Sequence, residues 1–70
     1  MLTIQQIVDS LRQAIATQRE AGDVTALRET QLAAGVLMNA AKWAGDKETA
    51  HTFQVLAAEA ANAQEEIEDK

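Results

Sequence analysis

The sequence predicts an all-α protein: three antiparallel helices, over about 4–21, 24–44 and 47–68, in a small up-down-up bundle expected to pair as a dimer. Three observations lead there. The tripeptide Ala21-Gly22-Asp23 recurs as Ala44-Gly45-Asp46 and cuts the 70 residues into three segments of helical length. A glycine can take the left-handed conformation that ends one helix, and an aspartate can cap the next. The chain also holds 15 alanines but no proline and no tyrosine, with few β-branched or aromatic residues, a composition that favours helix over strand. Finally, apolar residues recur at i, i+3, i+4 and i+7 and do not alternate.

In the first segment Thr3 and Gln6 read as a capping box, with Leu2 placed to staple onto Ile7. Ile4, Ile7, Val8, Leu11, Ala14 and Ile15 form one apolar stripe. Gln5, Gln6, Asp9, Arg12, Gln13 and Glu20 lie opposite. This is the pattern of a helix lying on a core.

The second segment is apolar around more than half its circumference. Leu27, Ala34, Leu37, Met38 and Ala41 gather on one side, and Leu32, Val36, Ala40 and Trp43 on another. Only an arc through Gln31, Lys42, Arg28 and Asn39 is polar. Such a helix needs more than one neighbour, so it is expected to be central and to meet a second chain. Gly35 inside it costs roughly 1 kcal/mol relative to alanine, and with Ala33 and Ala34 beside it the expected return is close approach of another helix.

The third segment buries Ala50, Phe53, Leu56, Ala57, Ala60, Ala63 and Ile67. Three of these are large and four are alanines, which predicts a close helix–helix approach. Val55 falls on the far face among His51, Ala58 and Asn62. Glu65, Glu66, Glu68 and Asp69 place acids at a helix C-terminus, where the dipole disfavours them, so residues 68–70 are expected to form a frayed acidic tail.

Seventy residues make a single three-helix domain, 1–70. With no cysteine, neither disulfides nor thiolate metal sites are available. The apolar runs are short of a membrane span, and the first residues lack the basic and apolar regions of a signal peptide. The expectation is a whole small cytoplasmic protein. Net charge is −5, concentrated in the second half, and a negative surface repels phosphates; no direct nucleic-acid binding is expected.

No catalytic, cofactor or metal constellation emerges. His51 is the one histidine and has no second histidine or cysteine to complete a site; Ser10 lacks a glycine-rich elbow. The acidic end lacks calcium-loop spacing. Trp43 reads first as a core residue and second as an interface anchor. Arg12 and Arg19 share one side of the first helix, with Arg28 beyond the turn. They read first as a solvated face with local pairs Asp9–Arg12 and Arg19–Asp23, and second as a patch for an acidic partner.

The expected function is therefore non-enzymatic: a protein–protein interaction module, a small regulator or inhibitor acting on a partner protein's surface. A purely structural self-assembly protein is one alternative, and an acidic nucleic-acid mimic another. Self-association is expected through Leu32, Val36, Leu37, Met38 and Trp43. The strip His51, Val55, Ala58 and Asn62, or the Arg12–Arg19 side of the first helix, is left for a different protein.

Overall fold

A computed structural model describes residues 1–69. They form three packed helices, α1 (Ile4–Ala21), α2 (Val24–Trp43) and α3 (Lys47–Glu68), with no strand among the described residues. Lys70, the last residue of the expected frayed tail, lies outside them; α3 is helical through Glu68, and the Asp69 N–H donates to the Glu65 carbonyl.

Each helix start is capped by its own side chain. Thr3 Oγ1 accepts the Gln6 N–H at 3.1 Å, and Gln6 Oε1 accepts the Thr3 N–H at 2.9 Å, completing the capping box. Asp23 Oδ1 accepts from the Ala26 N–H at 3.0 Å and Asp46 Oδ1 from the Thr49 N–H at 3.1 Å. Leu2 is 71 % exposed, so its expected staple covers little of it.

The two linkers share one hydrogen-bond scheme. At the first, the Gly22 N–H donates to Arg19 O and the Asp23 N–H to Gln18 O; at the second, Gly45 donates to Lys42 O and Asp46 to Ala41 O. These nested bonds are the Schellman motif, which needs a left-handed residue at the glycine position. Gly22 and Gly45 supply it, with φ of 67° and 79°. Each aspartate thus closes one helix through its N–H and opens the next through its carboxylate. Helix α2 ends at Trp43, one residue short of the expected boundary, because Ala44 already serves the cap.

Helices α2 and α3 make the most extensive contact, and α1 packs on both to a smaller extent. The core consists of Val8 and Ile15 from α1, Leu27 and Ala34 from α2, and Phe53, Leu56, Ala60 and Ala63 from α3. Leu27 and Leu56 are fully buried, each worth about 1.5–3 kcal/mol relative to exposure. Leu11, Leu37, Met38 and Ile67 close over this core from its edges. Ile4, expected in the α1 stripe, is 52 % exposed because it sits at the open end of the stack.

Polar groups join the helices where sequence periodicity shows none. Buried Thr30 Oγ1 lies 2.8 Å from Gln18 Oε1 of α1 and 3.0 Å from the Ala26 carbonyl. Buried Gln64 of α3 donates from Nε2 to Gln31 Oε1 of α2 at 2.8 Å. Arg19 of α1 pairs with Glu66 of α3. Every buried side-chain nitrogen and oxygen among the described residues has a partner, so these bridges carry no desolvation debt.

Gly35 corrects an expectation. A Cβ built there meets no heavy atom within 4 Å, so no helix of this chain approaches closely at that point. Gly35→Ala is expected to raise stability by about 0.5–1 kcal/mol, whereas Gly45→Val is expected to lower it because a β-branched residue resists positive φ. Leu56→Ala is expected to cost about 2–5 kcal/mol, comparable to the roughly 3–5 kcal/mol that a core of this size supplies. Chemical denaturation of the three variants, followed by circular dichroism, checks both signs and the magnitude.

Candidate functional site

The two apolar sides of α2 have different fates. Leu27, Ala34 and Ala41 are buried against the other helices, while Leu37 and Met38 are half-buried at the core's edge. The other side faces solvent: Leu32 is 65 % exposed, Val36 66 % and Trp43 84 %, with Ala40 exposed between them. Trp43 is therefore not a core residue of this chain, against the first reading of the sequence. The reason is rotational. Trp43 lies eleven residues beyond Leu32, so both fall on the arc opposite Leu27 and Ala34. Of the five residues expected to drive self-association, Leu32, Val36 and Trp43 form a surface stripe, and Leu37 and Met38 are occupied by intrachain packing.

A shallow apolar pocket of about 250 Å³ opens beside this stripe. Ile4 and Ile7 of α1 wall one side, and Leu37, Ala40, Ala41 and Ala44 form the α2 wall. Asp46, Thr49 and Phe53 come from the start of α3. It is the end of the molecule away from the Thr30, Gln64 and Glu66 bridges. A second depression of about 540 Å³, mixed polar and apolar, lies at the bridged end, lined by Ala16, Arg19, Glu20, Glu66 and Ile67.

His51, Val55, Ala58 and Asn62 are all exposed and share the outward face of α3, Val55 contributing its only large apolar group at 39 % exposure. Arg12 and Arg19 are exposed on α1. Arg19 is engaged by Glu66 and not by Asp23, whose carboxylate caps α2; Asp9 accepts from Gln5 Nε2 at 2.8 Å. The α2 stripe, the α3 strip and the arginine side thus belong to three different surfaces.

The carboxyl of Asp46 sits in an environment that lowers its pKa. The Thr49 hydroxyl, 2.6 Å from Oδ2, and then the Thr49 amide hold its carboxyl below the ordinary value of 3.8. Among the described residues no three His, Cys, Asp or Glu side chains cluster to hold a metal ion, and no helix is long and apolar enough to cross a membrane. Thr30 and Gln64, which join the helices, were missed in the sequence because a polar residue on a helix reads as solvent-facing; the apolar pocket depends on how three helices meet and has no linear signal.

Comparison of the chain with protein-family models, with curated proteins and with solved structures finds no match.

Because the folded pKa of Asp46 is depressed, its cap adds stability above the ordinary carboxylate range, and that contribution is lost as pH falls below about 4 through the folded value. Thr49→Val keeps the amide bond and removes the hydroxyl. It is expected to raise the Asp46 pKa toward its ordinary value and to move acid unfolding to higher pH. A ¹³C carboxyl titration by NMR reads the first effect and circular dichroism the second.

Proposed function

We propose that this protein is a non-catalytic interaction module, a small helical scaffold that pairs with itself through α2 and presents its remaining faces to another protein. The observation that supports this is the stripe Leu32–Val36–Trp43 lying uncovered on the middle helix. Scattered apolar residues are common on surfaces, but three large ones aligned on one helix face are the pattern that association covers. A two-fold pairing buries such a stripe against itself and is the commonest closed arrangement.

The up-down-up order of antiparallel helices belongs to the same reading. Gln18 near the end of α1 meets Thr30 early in α2, and Arg19 meets Glu66 near the end of α3. Ile4 and Ile7 at the start of α1 share a pocket with Ala44 and Thr49. With α2 committed to the dimer, the strip His51, Val55, Ala58 and Asn62 on α3, or the Arg12 side of α1, remains for a partner protein, and regulation or inhibition by occupying that partner's surface follows as the mode of action. A purely structural role differs only in lacking that third party.

Light scattering at micromolar concentration is expected to give twice the 7.6 kDa chain mass. The double variant Leu32→Glu, Val36→Glu is expected to give the single-chain mass with unchanged helicity, since both positions are exposed. A wild-type chain that stays monomeric and melts cooperatively would sink the dimer and turn the stripe into the partner's docking site.

A further inference from the structure

The three helices are not held equally. Helices α2 and α3 share the most extensive contact, whereas α1 packs on each of them less. Only Val8 and Ile15 of its 18 residues are buried, against four residues of α2 and six of α3. Its ties are also unevenly placed. The polar bridges Gln18–Thr30 and Arg19–Glu66 both lie in its last turn, next to the Gly22-Asp23 linker. Among the described residues no side-chain hydrogen bond or ion pair joins its first three turns to another helix. There Ile4 and Ile7 stand across an open pocket from Leu37, Ala41 and Phe53. We propose that α1 is a flap: it detaches as one unit, hinged at Gly22-Asp23, while α2 and α3 stay folded against each other.

Detachment of α1 gives up the burial of Val8 and Ile15 and the half-burial of Ile7 and Leu11. It leaves the α2–α3 contact, the Gln31–Gln64 bridge and the Asp46 cap in place. The connection from α2 to α3 is three residues long, so keeping that pair together costs little loop entropy. The sequence of α1 adds to the difference. It holds three alanines and five β-branched residues, where the 22 residues of α3 hold six alanines and four β-branched residues. Released from the core it is a weak helix, so it melts and its amides exchange. The hinge is unobstructed: a Cβ built at Gly22 meets no heavy atom within 4 Å. Opening brings to the surface the side of the Leu27–Phe53–Leu56 core that α1 covers, on a hairpin that is still folded. The position of α1 therefore sets how much apolar surface the protein shows. This inference stands apart from the dimer reading, whose stripe is exposed with α1 in place.

Native-state hydrogen exchange of the full chain, read by NMR in increasing urea below the unfolding transition, tests the flap. Amides from Leu11 to Ile15 are expected to share one protection level, about tenfold or more below that of core amides in α2 and α3. Their urea dependence is expected to be definite but smaller than that of α2 and α3, because less surface is exposed than in whole-chain unfolding. Two variants give the signature of a separate unit. Ile15→Val weakens only the closed state, so it is expected to lower protection in all three helices by one common factor, about two- to tenfold. Gln31→Ala breaks a bridge that survives opening. It is expected to lower protection in α2 and α3 by about fivefold or more and to leave that of α1 unchanged. A single protection level and urea slope for all three helices would overturn the flap, as would an equal fall in α1 with Gln31→Ala. Protection in α1 that declines smoothly toward Ile4 with no urea dependence is end fraying and would overturn it too.

Discussion

Two residues between α1 and α2 and three between α2 and α3 leave little slack, and the rest of the molecule follows from that. A Gly-Asp linker must end one helix and begin the next almost at once, so the glycine takes positive φ and the aspartate serves both helices. Neighbouring helices are then held side by side from their first turn. Alanines at 34, 41, 50, 60 and 63 turn that proximity into packing, because small side chains let helix axes approach. The large buried apolar residues are Val8 and Ile15 of α1, Leu27 of α2, and Phe53 and Leu56 of α3.

The same economy explains the asymmetry of the two ends. One end is joined by Thr30–Gln18, Gln31–Gln64 and Arg19–Glu66, and the other is walled by Ile4, Ile7, Leu37 and Phe53 around an open pocket. Buried amide and hydroxyl groups select one register of helix against helix, since slipping a turn would leave them unsatisfied. Two of the three bridges are uncharged, so added salt screens only the Arg19–Glu66 pair, whose side chains are half exposed and which contributes little. Apolar contacts at the opposite end impose no such selection.

Much of the fold was legible in the sequence because it is written in local chemistry. The caps at Thr3, Asp23 and Asp46, the left-handed glycines, and the stripes of α1 and α3 each depend on residues within one or two turns. What depends on relations between helices was not legible. An apolar position on α2 does not say whether it faces a neighbour or water, so Leu37 and Trp43 looked alike although one packs at the core and the other protrudes. Gln64 looked like any surface glutamine until Gln31 was placed across from it. Gly35 signalled a close approach, and the space around it is empty.

The start of α1 and the end of α3 also have different surroundings. Ile4 lies beside Ala44 and Thr49, while Glu66 lies beside Arg19, in a molecule about 39 Å long. A group attached ahead of α1 emerges next to the apolar mouth, where Met1 and Leu2 already stand in solvent, whereas Glu66 stands at the end that carries the bridges. The two are not equivalent: a label ahead of α1 crowds the apolar pocket, and one placed near Glu66 leaves it open.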